Sequence, residues 1–293
     1  MIKNLMRDSV NDEWGIKPLQ NCILNIANYI DTLCRDNGIV YYLMGGSALG
    51  AVRHEGFIPW DDDLDIFMTL ENYEKFRSIF EEKGDKEQYY LQEFGLSNGR
   101  ITTAKIRFNQ STFIEDVLRD QDIHHGVFID IFILHNCPKP SVQRLWQYLW
   151  CRYLVVKSMA NRKNMRGSFI RKTIVWLFKL FPKRFLLNFA LKQIYKFENS
   201  PSDEFCHFLG RASIRRGIYK KEQFGKPRRV PFETLYLNVP SQVEEYLKER
   251  FGDYMKVPSI DEIRHFQHTS EWSVVRSFTR LKTGSFSDEK YLI

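Results

Sequence analysis

The chain has 293 residues, 43% apolar and 27% charged, enough for a full core in one large domain or two small ones. No stretch nears the ~18 to 20 apolar residues that span a bilayer, and Met1 to Trp14 lacks the apolar block of a secretory signal, so a cytoplasmic protein is expected. Its net charge of +7 hides a division: Pro138 to Phe197 holds 14 Lys or Arg and no Asp or Glu, which leaves the remainder at −7. So segregated a field draws an anionic partner.

In chain order, Leu19 to Asn37 has apolar residues at helical spacing (Ile23, Ile26, Ala27, Ile30, Leu33) and a stop at Asn37-Gly38. Ile39 to Met44 is a β-branched and aromatic run ending at Gly45-Gly46-Ser47, which reads as a buried strand, a tight turn and a short helix from Ser47 to Arg53. After a loop punctuated by Gly56 and Pro59, acids and apolar residues alternate from Asp63 to Met68, which sets Asp63 and Asp65 on one face of a strand. Glu71 to Lys83 is expected as a helix. Ile101 to Phe108 and Ser111 to Glu115 are expected as strands, paired as a hairpin across Asn109-Gln110. Val127 to Leu134 is a strand apolar on both faces except for Asp130.

Beyond Pro138 the pattern becomes long aromatic and basic helices, Val142 to Met159, Phe169 to Phe181 and Arg184 to Phe197. From Pro201 a mixed composition returns, with a strand pair within Val230 to Val239 and a helix from Gln242 to Arg250. Three segments follow: a catalytic core over 1–137, a basic helical insertion over 138–200, and a C-terminal region over 201–293 that completes the catalytic domain. Five scattered cysteines, Cys22, Cys34, Cys137, Cys151 and Cys206, never form a C-x-x-C pair. Reduced, mostly buried thiols are expected.

Three features point to one site. A strand ending in Gly-Gly-Ser at a helix start presents backbone N–H groups and a hydroxyl, a place where phosphate is favoured, although Gly and Ser also occupy such turns for steric reasons. Two carboxylates on one strand face repel unless a cation, Lys or Arg lies between them; the alternative, a solvated edge, sits poorly beside Ile66-Phe67-Met68. Asp130, an acid inside an eight-residue apolar strand, costs several kcal/mol unless paired or coordinated. Hard oxygen donors without a nearby thiolate select Mg²⁺ or Mn²⁺ bridging to substrate phosphates. Lys105 and Arg107, at i and i+2, share a face and can clamp phosphate oxygens, or simply solubilise a surface strand. His124, His125, His135 and Cys137 match no recurring zinc spacing, and His125 is expected to orient the loop before Asp130. The Trp, Phe, Lys and Arg residues interleaved from Trp146 to Tyr195 suit either a helical core with a basic face or helices lying on an anionic membrane, and the second is favoured. No base-reading motif is present, so nucleic acid is not an expected partner.

The stretch Leu43-Met44-Gly45-Gly46-Ser47-Ala48-Leu49-Gly50, the block Arg53-His54-Glu55-Gly56-Phe57-Ile58-Pro59-Trp60-Asp61-Asp62-Asp63-Leu64-Asp65-Ile66, Lys105-Ile106-Arg107 and His125 to Phe132, with Tyr246-Leu247 and Phe251 to Met255, resemble the LicD family. These are bacterial phosphocholine transferases related to the fukutin-type ribitol-phosphate transferases. The resemblance implies an α+β, nucleotidyltransferase-like mixed sheet flanked by helices, and transfer of phosphocholine or a related alcohol phosphate from CDP-choline or another CDP-alcohol to a hydroxyl of a glycan, lipid-linked or not, with release of CMP. It implies metal-binding, catalytic acids at Asp63, Asp65 and Asp130, and substrate contacts from Gly46, Ser47, Arg53, Trp60, Asp61, Lys105, Arg107 and His125. A choline ammonium would rest on an aromatic face such as Trp60. The competing enzyme reading moves NMP from an NTP and releases pyrophosphate. A glycosyltransferase with a D-x-D site would not call for the Gly-Gly-Ser turn.

Overall fold

The computed structural model describes residues 12, 14–93, 102–115, 118–119, 121, 123–160, 183–210, 213–259 and 271–277. Among them are six α-helices around a mixed sheet: α1 (Lys17–Asp36), α2 (Gly45–His54), α3 (Leu70–Lys83), α4 (Ser141–Ala160), α5 (Lys183–Tyr195) and α6 (Val243–Phe251). The strands are β1 (Tyr42–Leu43), β2 (Asp65–Thr69), β3 (Tyr89–Gln92), β4 (Ala104–Phe108), β5 (Thr112–Phe113), β6 (Phe128–Asn136), β7 (Glu204–Cys206), β8 (Ile218–Lys220), β9 (Arg228–Phe232), β10 (Leu235–Val239) and β11 (Trp272–Ser273). The expected mixed sheet flanked by helices is the fold found.

The sheet runs in the order β1-β2-β6-β4-β3, with β7 joining β6 and β8 joining β7. Strands β2 and β6 are parallel, and the β1–β2, β6–β4 and β4–β3 pairs are antiparallel. The middle strand, β6, is therefore covered on both edges, and its near-continuous apolar run of Ile129, Ile131, Ile133 and Leu134 is buried. Helix α1 buries Leu19, Ile23, Ile26 and Ile30 in the same core. Asp12 starts it by accepting from the N–H groups of Ile16 (3.0 Å) and Lys17 (3.1 Å), and Gly38, at φ +60°, ends it. Strand β2 passes directly into α3, whose first turn is capped by the Thr69 hydroxyl accepting from Asn72 N–H.

Three expectations change. Only Tyr42 and Leu43 of the Ile39–Met44 run pair as a strand, opposite Phe67 and Ile66. The hairpin across Asn109-Gln110 does not form, because β4 already has β3 and β6 on its two edges; β5 pairs with β11 instead. Asp63 lies in the lead-in to β2, which starts at Asp65. Helices α4 and α5 correspond to two of the three basic helices, and Phe169 to Phe181 lies outside the described residues. All five cysteines are free and buried.

Candidate active site

The sheet register builds the site. Asp65 on β2 faces Asp130 on the parallel neighbour β6, and Asp130 faces Lys105 on β4, which in turn faces Gln92 on β3. Register partners share a face, so one row across four strands reads carboxylate, carboxylate, ammonium, amide. Lys105 Nζ lies 2.9 Å from the Asp130 carboxylate and 3.6 Å from Glu115 Oε1, and the Thr103 hydroxyl donates to Asp130 at 2.9 Å. The lysine is 4% exposed and its Nζ stands 3.4 Å from the centre of the Phe128 ring. Asp130, expected as an anomaly in an apolar strand, thus has both a charge partner and a hydroxyl donor.

Asp65 is the strained member. Burial first, then the charges of Asp63, Asp130 and Asp61, hold its carboxyl well above the usual carboxylate range, and Lys105 only partly offsets them. It retains some exposed surface, yet neighbouring chain closes over it closely enough for desolvation to dominate. The charges of Asp63, Asp130 and Asp61 converge on Asp65, and an all-oxygen donor set of this kind suits a hard divalent cation. Among the described residues, no three acidic, His or Cys side chains are already gathered at coordinating distance. Fit to such an ion therefore rests on the chemistry of the acids.

The start of α2 forms the adjoining wall. The helix begins without a side-chain cap, leaving its first N–H groups to other partners, and Gly45 N–H donates to the Tyr246 hydroxyl at 2.9 Å. Gly46 is needed for close approach: a Cβ there would lie 2.9 Å from Asp61 Oδ2. Ser47 Oγ accepts from Asp65 N–H at 2.8 Å, tying the helix to the strand that carries the acid. Met44 N–H donates to the Asp65 carbonyl (3.0 Å). An anion-favouring helix start thus sits directly against the acidic row.

A family model described as LicD/FKTN/FKRP, nucleotidyltransferase domain, matches residues 38–146, which hold α2, Asp61 and the whole carboxylate row. Over 252 residues the chain is 30% identical to the lipopolysaccharide cholinephosphotransferase LicD of Haemophilus influenzae, covering 83% of this chain and 92% of that protein. The chain belongs to the LicD family. Human ribitol 5-phosphate transferase FKRP is 41% identical over 81 residues, 25% of this chain and 16% of that protein. An uncharacterised Rickettsia typhi protein, RT0683, is 49% identical over 47 residues, 16% of this chain and 15% of that protein.

Other residues expected at this LicD-family site sit further out. Arg53, at the far end of α2, is 4% exposed, and its guanidinium donates to His54 Nε2 (2.8 Å) and to the carbonyls of Tyr254 (2.9 Å) and Lys256 (3.3 Å). Burial lowers its pKa. Arg107 is fully buried, donating to Gln92 Oε1 (2.6 Å), the Gly126 carbonyl (2.9 Å) and Glu115 (3.4 Å); its donors are spent on protein. Trp60 packs against Trp14 and His54. His125 is buried, with Nε2 3.2 Å from the Gln121 carbonyl, and its own carbonyl accepts from Phe113 N–H, fixing the loop ahead of β6.

Four positions that shape the site escaped the sequence reading. Glu115 bridges Lys105 and Arg107; burial alone would raise its pKa, but those two cations outweigh burial and lower it. Gln20 on α1 donates to the carbonyls of Ile58 (3.3 Å) and Asp61 (3.0 Å), fixing the loop between α2 and the acids. Glu233, at the β9–β10 turn, accepts from Phe57 N–H at 3.2 Å. Tyr246, quoted only for its resemblance, anchors the first residue of α2. The Lys105-x-Arg107 spacing hinted at an acid between the two cations; the rest carried no local signal.

Proposed function

We propose that this LicD-family transferase moves phosphocholine, or a related alcohol phosphate, from a CDP-linked donor to a hydroxyl of a cell-surface glycan or teichoic acid precursor and releases CMP. The row of Asp65 and Asp130, crowded by Asp63 and Asp61 under the start of α2, carries this reading. The names of the H. influenzae and human relatives, a cholinephosphotransferase and a ribitol 5-phosphate transferase, support an alcohol phosphate as the transferred group. Asp63, Asp65 and Asp130 would hold Mg²⁺ or Mn²⁺, which supplies charge neutralisation at the diphosphate.

The start of α2 receives donor phosphate through the backbone N–H groups of Gly46 and Ser47, the Gly45 N–H being held by Tyr246. The acceptor oxygen bonds to the phosphorus that carries the alcohol, the P–O bond to CMP breaks, and CMP leaves with that bridging oxygen. Asp130 is the candidate acceptor for the hydroxyl proton. Lys105 holds Asp130 in place, and Glu115, itself held by Arg107, holds Lys105. Gln20 and Glu233 fix the Glu55–Asp61 loop so that Asp61 stays against Gly46.

The test offers CDP-choline, CDP-ribitol, CDP-glycerol and CTP with Mg²⁺ and a mixed glycan acceptor to wild type and to Asp65→Asn. CMP from one CDP donor, reduced at least about a hundredfold in the variant, is expected. Pyrophosphate from CTP would instead make the chain an NMP transferase, and equal CMP release by both proteins would remove the carboxylate row from the chemistry.

A further inference from the structure

Helices α4 and α5, packed together, carry a face that the active site does not use. On α4, Val142, Leu145, Trp146 and Leu149 recur at i, i+3, i+4 and i+7, the apolar stripe of a helix. Yet they are 79%, 49%, 44% and 54% exposed. The opposite side of α4 makes the contacts with the body of the protein: Gln147, Cys151 and Leu154 are buried, Arg144 pairs with Glu204 at 2.5 Å, and Arg152 donates to the Gly210 carbonyl at 2.8 Å.

The stripe continues onto α5. Trp146 and Trp150 meet edge to face with centroids 5.8 Å apart, and Trp150 meets exposed Phe189 at 5.1 Å. Trp146 Nε1 also donates to Gln193 on α5 at 3.1 Å. Lys192, one turn beyond Phe189 on α5, lies along the same side, and Lys196, just past the end of the helix, is exposed as well. Across Pro138 to Phe197 there is no acid to offset them.

This combination narrows the partner. A nucleic-acid surface rewards cations and stacking rings but gains nothing from exposed Val and Leu. An interfacial helix needs all three components: aliphatic residues for the acyl boundary, Trp with a polar edge, and lysines for headgroup phosphates. The apolar residues occupy one side of α4 while Gln147, Cys151 and Leu154 on the other are buried against the protein, so the contact is along a surface. We propose that the α4–α5 face docks the protein on an anionic bilayer, with Leu145, Trp146 and Leu149 at the acyl boundary and Lys192 and Lys196 among the phosphates. This goes beyond the transferase reading and does not depend on it.

Flotation of the full chain with phosphatidylcholine vesicles, with and without phosphatidylglycerol, tests the proposal. Binding is expected only to the anionic vesicles and should weaken about tenfold or more in Lys192→Glu/Lys196→Glu. A Leu145→Glu/Leu149→Glu variant changes only exposed positions, so its Tm should match wild type while binding is lost. The proposal is overturned if wild type ignores anionic vesicles or if the Leu145→Glu/Leu149→Glu protein floats as well as wild type. A dimer seen by light scattering that the same variant splits, with vesicles ignored, would assign the face to self-association; RNA capture with vesicles ignored would assign it to nucleic acid.

Discussion

Lys105 neutralises part of the acidic row from within the chain. Any ion taken up by Asp63, Asp65 and Asp130 competes with its ammonium for Asp130, and Glu115 offers that ammonium a second partner 3.6 Å away. The two neighbours should therefore act in opposite directions: Lys105→Met tightens Mn²⁺ binding measured by calorimetry, and Glu115→Gln, which leaves Lys105 to Asp130 alone, weakens it. Shifts of several-fold are expected for single charge partners in a partly screened site, and movement in the same direction would exclude the competition. A second residue sets an acid limit on the fold. Buried His207 donates through Nδ1 to the Ile133 carbonyl at 3.1 Å between Phe67 and Phe132, and burial lowers its pKa from 6.5 to about 4. Its folded pKa lies below its unfolded one, so its stabilising contribution is complete above pH 6.5 and is lost as pH falls toward 4, about 3 kcal/mol in all. Melting of wild type and His207→Gln across that window should show a shallower acid slope in the variant, the part that remains coming from His54 and His124, which burial also lowers to about 4.

Two elements are held to the site by contacts that substitutions can interrupt. Gly50, inside α2, allows the next loop to pass: a Cβ there would lie 2.5 Å from the Gly56 carbonyl and 3.2 Å from Ile58 N, both backbone atoms that cannot swing aside. Gly50→Ala should push away the loop leading to Asp61 and reduce CMP release by on the order of a hundredfold, while Ala elsewhere on the exposed face of α3 leaves it unchanged. The β9–β10 hairpin is tied to α1 by Arg229, which meets both oxygens of buried Asp31 at 2.7 and 2.9 Å. Arg229→Met strands much of that charge, since Tyr41 and Arg35 still reach it, and should cost about 2 to 3 kcal/mol in urea unfolding. What could be read from the chain follows from what is local. Asp130 stood out because a charge interrupts an apolar run and α1 because five apolar residues keep helical time, whereas alternation placed Asp65 on a strand but carried Asp63 one step too far, since β2 starts at Asp65. Strands β3, β7, β8 and β11 are two to four residues long, too short for a period to show. Gln20, Glu115 and Glu233 are ordinary polar residues whose importance comes only from what folding brings beside them.

Across the whole molecule, β6 is the central strand: it carries Asp130, separates β2 from β4, and leads through Asn136 toward α4. The carboxylate row and the proposed membrane face thus lie toward opposite ends of one strand that is paired on both edges. The parallel pairing of β2 with β6 has a further consequence in time. Asp65 and Asp130 become neighbours only after the chain between them has been made and threaded through α3, β3 and β4, and such long-range closures are slow steps. On a growing polypeptide Asp65 has beside it only the acids of its own segment, Asp61, Asp62 and Asp63, and lacks Asp130. The full acid cluster comes into being when β6 slots into the sheet, and any ion that recognises it favours the finished fold over every earlier state.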